Sequence, residues 1–210
     1  MKLETSKNLG GVGAILLVIG FVGIIGTGYS GILNLIGLVL VLIAMKGLSD
    51  YYKDAGIFNN TLYGFVTSII AVVAFVAVIV ATLLETIANL GIADWTNTTE
   101  WAAAFQANLS DMSAFFTLIG GIILAFVALF ILLVIAAIFY RKSLNILSSK
   151  SGVGMFSTAG LVLLIGAVLT IILVGIIIIW IAIILLAVAF FSIKPATTQA
   201  TPSTSPPPPG

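Results

Sequence analysis

No aspartate, glutamate, lysine or arginine occurs between Phe115 and Tyr140. A helix needs about 20 apolar residues to cross the ~30 Å hydrocarbon layer of a bilayer, and this stretch exceeds that. Comparable uncharged runs occupy 9–45, 61–84 and 155–193. In hydrocarbon every backbone N–H and C=O must find an internal partner, which leaves only helices and closed barrels. Barrel strands alternate apolar and polar residues. These runs are apolar on every face, so the expected fold is all-α: an integral membrane protein with the lipid bilayer as its solvent.

The runs divide into six transmembrane helices. Helix 1 is expected at about Leu9–Ile25 and helix 2 at Ile32–Leu48, separated by the turn signal "GTGYSG" (26–31). Helix 3 is expected at Thr61–Leu84, with Asn59 or Asn60 as N-cap. An external polar segment follows at about 85–114, then helix 4 at Phe115–Tyr140 and a second polar segment at 141–154. The last run, Met155 to Ile193, has 39 residues. As one helix it would be about 58 Å long, nearly twice the hydrocarbon thickness. Two short spans with a tight turn near Gly175 fit better, a re-entrant hairpin being the alternative. Trp180 would then lie near the outer interface.

Six spans segregate the basic residues. Lys2 and Lys7 precede helix 1; Lys46 and Lys53 lie between helices 2 and 3; Arg141, Lys142 and Lys150 lie between helices 4 and 5; Lys194 follows helix 6. All eight fall on one side, while the other side carries Glu85, Asp94, Glu100 and Asp111. Random placement would give complete segregation roughly once in 128 times, whereas the positive-inside rule expects it. Both termini are thus expected in the cytoplasm, in a multi-pass protein of the cell membrane. The lysines before helix 1 resemble a signal peptide, but another span follows at once, which favours a retained helix. Residues 1–194 form one six-helix domain. The tail, 195–210, holds all six prolines and is expected to be disordered, ending in a polyproline II run.

Chemistry is sparse. Only 7% of residues are charged, and the chain has neither Cys nor His. Disulfides, Cys-ligated zinc and the commonest general base are therefore excluded. No cofactor or metal site is expected, and no basic run is dense enough for nucleic acid. No span carries paired carboxylates or a nucleophile with a base. "GGVG" (10–13) lacks the Lys-Ser or Lys-Thr of a phosphate loop. The expectation is a non-enzymatic scaffold or accessory membrane component. The alternative is a channel or carrier for a small neutral solute, lined by Ser, Thr and glycine backbone.

Three groups of residues stand out. Nine of the 21 glycines fall in 10–37, and Gly13, Gly20 and Thr27, with Gly23 beside them, recur on one helix face. Small residues let helix backbones approach closely, so these four form a candidate packing seam, either within the chain or in a homo-oligomer. Lys46, Asp50, Tyr51, Tyr52 and Lys53 form a candidate cytoplasmic docking segment for headgroups or a membrane-protein partner. It continues helix 2, with Lys46 and Asp50 spaced for an i,i+4 pair and Gly56 placed to end the helix as a left-handed cap. Asn97 and Asn108 open the tripeptides "NTT" and "NLS", candidate external glycosylation sites; Asn59 opens a third on the cytoplasmic side, where it stays unmodified. Trp101, Phe105, Leu109 and Met112 recur at helical spacing behind Asn97 and Glu100, which predicts a short interfacial helix anchored by Trp95 and Trp101. "SKNLGGVG" (6–13) is echoed by "SKSGVG" (149–154), a hint of internal duplication.

"SKNLGGVGAILLVIG" (6–20) and "GLVLVLIAMKGLSDYYKDAGIFNN" (37–60) resemble an uncharacterised family of archaeal membrane proteins, a domain of unknown function. The resemblance covers about residues 5–193. Its most specific element comprises Lys46, Leu48, Ser49, Tyr51, Tyr52, Ile57, Phe58 and Asn60. It implies an archaeal cell membrane and brings no known activity or catalytic residue. Some members continue through a Pro-rich linker into a Cys-rich zinc ribbon. This sequence stops at the Pro run without any Cys, so it either lacks that module or is a truncated form.

Overall fold

The computed structural model describes residues 2–23, 30–92, 96–172 and 174–194. All regular structure among them is helical: α1 (Leu3–Gly23), α2 (Ser30–Tyr52), α3 (Ala55–Asn89), α4 (Thr98–Ser110), α5 (Met112–Ser151), α6 (Met155–Leu169), a 3₁₀ turn at Thr170–Ile172, and α7 (Val174–Phe191). Every helix but α4 contributes a segment long and apolar enough to span a membrane, six in all. The expected tail and the turn residues 24–29 lie outside the described residues.

The run 155–193 is two helices. Gly175 packs so tightly against the end of α6 that a Cβ there would collide with the carbonyl oxygen of Gly166. Trp180 lies within α7 and donates from Nε1 to the carbonyl of Val18 at 3.3 Å, tying α7 to α1.

The helices run further than hydropathy suggests, mainly at the basic end. α5 continues for eleven residues past Tyr140 to Ser151, where Gly152 (φ 72°) supplies the left-handed cap. The expected cap at Gly56 and the N-cap at Asn59 or Asn60 are corrected. α2 stops at Tyr52; Lys53 takes the left-handed conformation (φ 52°); and Asp54 caps α3 by accepting from the Gly56 N–H at 3.0 Å. The turn closes because the Ser49 hydroxyl donates to the Asp54 carbonyl at 2.9 Å, which places Gly56 in the first turn of α3. Polar residues there end the hydrocarbon span without ending the helix.

Each spanning helix packs on two others in the order α1, α2, α3, α5, α6, α7 and back to α1, a closed ring. Bilayer hydrocarbon gives apolar helices no hydrophobic reason to associate, so close van der Waals packing must hold them. The best-packed region is the basic end, where Leu48, Ile57, Leu147, Phe156, Phe190 and Ile193 are buried together. The rings of Phe156 and Phe190 meet edge to face at 5.3 Å. Lys7 donates to the carbonyl of Ile193 at 3.3 Å and pairs with Glu4 at 3.1 Å, joining the two ends of the bundle's chain.

The far end is different. Arg141 of α5 packs on Gly160 of α6; beyond that level α6 has nine residues left and α5 has 29. α5 therefore continues about 30 Å past the end of α6, and α3, with 35 residues to the 23 of α2, continues about 18 Å past α2. The α3–α5 hairpin is held by Phe75 against Phe126 and by Thr82 over Gly121, with Val73, Leu84, Phe116 and Leu124 exposed. α4 lies across its tip with no buried residue.

Candidate functional site

The ring encloses a cavity of about 190 Å³ to which every spanning helix contributes: Leu17 from α1, Leu42 from α2, Phe65 from α3, Leu144 from α5, Leu163 from α6 and Ile183 from α7. The basic-end core closes one side of it, since Met45 and Leu144 belong to both. Among the described lining residues, only Thr61 and Tyr140 carry a polar group. The Thr61 hydroxyl donates to the Ile57 carbonyl at 2.9 Å and lies 2.7 Å from the Ser143 hydroxyl. The Tyr140 ring lines the same wall, and the Ser68 hydroxyl donates to the Phe65 carbonyl at 2.8 Å. No buried side-chain nitrogen or oxygen among the described residues is left without a partner. Among the described residues the cavity therefore presents an apolar wall interrupted by the engaged Thr61 hydroxyl and the Tyr140 phenol.

Sequence reasoning missed Thr61 and Ser143. Both stood at the edges of the expected spans, and a hydroxyl at a span edge reads as water-facing. The hydroxyls that were read as intramembrane mostly bond their own helix: Ser68 to Phe65, Thr82 to Val78, Thr117 to Ser113 and Thr170 to Gly166. Asn34 lies against Gly20.

The glycine seam meets a partner inside the chain. A Cβ on Gly13 would come 2.7 Å from the Gly37 carbonyl oxygen, and one on Gly37 would come as close to that of Gly13. Gly13 and Gly20 thus both face α2. Gly23 ends α1, and Thr27 lies outside the described residues.

In the proposed docking segment, Lys46 and Asp50 form the expected pair at 2.8 Å. Lys46 also lies over the Phe58 ring, 5.3 Å from its centroid, so it bridges α2 and α3. Tyr51 is exposed, whereas Tyr52 packs against the core, its ring edge-on to Tyr51 at 5.0 Å. Lys53 occupies the turn. Asp54, next along the chain, pairs with Lys150 at 3.4 Å. The segment is thus a braced helix end rather than a loop.

Asn97 caps α4, accepting from the N–H groups of Thr99 and Glu100 at 3.1 and 3.3 Å. Asn108 lies within α4, beside a polar cleft that also includes Glu85, Asn89 and Asp111.

Two comparisons bear on this geometry. The description "Protein of unknown function (DUF996)" belongs to a family that matches residues 33–184. The uncharacterized protein MJ1644 of Methanocaldococcus jannaschii is 34% identical over 193 residues, 92% of this chain and 94% of its own length. The chain belongs to the DUF996 family. The DUF996 match takes in the braced α2–α3 turn, Thr61, Ser143 and the cavity wall from Leu38 to Ile183. The resemblance to an uncharacterised archaeal family is thereby confirmed. No solved structure matches the chain.

Proposed function

We propose that this chain is a non-enzymatic multi-pass component of the cell membrane, a scaffold or accessory factor, with both termini in the cytoplasm. The observation that carries this reading is where rigidity lies. Six helix ends are locked together at the basic end, and that platform presents Lys46, Asp50 and Tyr51 to solvent. A docking surface costs less binding entropy when its side chains stand on a fixed support. No Asp, Glu, Lys or Arg lines the cavity, whereas proton and ion pathways mark themselves with such residues. Affinity capture of the tagged chain from its native membranes tests the proposal. A second protein should co-purify and be lost in the Lys46→Glu, Tyr51→Ala double variant. Recovery of the chain alone in every mild detergent would count against the scaffold reading.

The central cavity favours a second reading, passage of a small neutral solute. Proteoliposome flux no faster than in protein-free vesicles, across a broad solute panel, would remove it.

A further inference from the structure

The ring is not equally tight all round. Among neighbouring helices, α2 and α3 have the slightest contact. Their seam has a defined polarity. At its basic end Lys46 reaches across from α2 to the Phe58 ring of α3 while remaining half exposed. One turn further into the bundle, Leu42 on α2 and Thr61 and Phe65 on α3 already line the cavity. A half-exposed cation thus stands one helical turn from the lining of an apolar chamber, along the loosest joint of the ring.

We propose that the cavity takes the hydrocarbon chain of a bilayer lipid, entering between α2 and α3 with its headgroup phosphate at Lys46. The wall offers little to a polar ligand, because the Thr61 hydroxyl is already engaged and the other lining side chains, Tyr140 apart, are apolar. A cavity near 150 Å³ lined by aliphatic and aromatic side chains stays dry and accepts a molecule the size of benzene. This one, at about 190 Å³, has room for a chain end and not for a whole lipid. A free apolar solute would use the chamber alone. A lipid uses both chamber and cation, and the membrane supplies it at the seam itself. Lys46 is shared with Asp50 and polarised toward Phe58, so its role is a phosphate contact with half its surface free. The site does not rest on the scaffold reading, since a lipid can occupy it whether or not a protein docks on the basic end.

The test is native mass spectrometry of the full chain. The protein is reconstituted into mixed phosphatidylcholine and phosphatidylglycerol vesicles and released into mild detergent. The wild type should retain one phospholipid per chain, with phosphatidylglycerol enriched over its share of the vesicle. Leu42→Trp fills the chamber and should cut retention about tenfold or more, since an added ring leaves no room for the chain. Leu163→Trp fills it from the opposite wall and gives the same reading should the first variant fold poorly; circular dichroism and elution profile report folding. Lys46→Ala should keep the retained lipid but lose the preference for phosphatidylglycerol. Val73→Trp, on the exposed hairpin, should change nothing. A wild type that retains no lipid, one that retains a non-lipid molecule, or folded filled variants that retain as much as wild type would each overturn the proposal.

Discussion

Thr61 and Ser143 bring their hydroxyl oxygens to 2.7 Å across the buried α3–α5 seam, and both hydroxyls also reach the Ile57 carbonyl. Two protons serve three contacts. Removing one hydroxyl therefore leaves the other still bonded to that carbonyl. Ser143→Ala is expected to cost about 0.6 kcal/mol and no more than ~1.7, the range for hydrogen bonds between membrane helices. Thr61→Val, which keeps the shape, should cost less. The double variant should differ from the sum of the two, because the residues share one network. Denaturant unfolding in detergent micelles measures all three.

The Gly13–Gly37 contact predicts a different kind of damage. Gly13→Leu must push α2 away from α1, because the atoms in the way are backbone. Overpacking of this kind typically costs ~1–3 kcal/mol. The loss should appear as a lower melting temperature of the monomer. A variant that keeps its melting temperature but changes its oligomeric state would place the seam between chains instead.

At the far end, Asp111 caps α5 by accepting from the Ser113 N–H at 2.9 Å. That backbone hydrogen bond holds its carboxyl below the ordinary aspartate range. A depressed folded-state value means that the cap contributes its full stability above the ordinary range. The contribution is lost as pH falls through the depressed value. A stability–pH profile should therefore show an acid limb that flattens in Asp111→Asn, and a carboxyl NMR titration of Asp111 should locate the depressed midpoint.

Side assignment is directly testable because the chain has no native Cys. A thiol introduced at Lys53, which is exposed in the α2–α3 turn, should react with impermeant maleimide only from the cytoplasm. One at Gln106, exposed on α4, should react only from the medium. The reverse pattern would invert the topology.

Span number, helical class and family were legible because bilayer hydrocarbon imposes one-dimensional rules on sequence. The glycine repeat marked Gly13 and Gly20, which face Gly37 and Asn34 of α2. Hydropathy reports where the membrane ends, not where the helix ends, and so α5 was expected to stop at Tyr140 and not Ser151. The turn was misplaced for a related reason. Gly56 carries the usual signature of a left-handed cap, yet the Ser49–Asp54 hydrogen bond tightens the chain earlier and puts Lys53 in that conformation. The cavity could not be read at all. Leu17, Leu42 and Leu163 look like any other lipid-facing leucines until six helices are arranged in a ring around them.

At the end opposite the lysines α5 outlasts α6 by about 30 Å, and α3 outlasts α2 by about 18 Å. Past the ends of its neighbours the α3–α5 hairpin is a two-helix stalk whose side chains Leu84, Phe116 and Leu124 stay exposed. An apolar stalk of that length has to be covered by hydrocarbon or by another apolar surface.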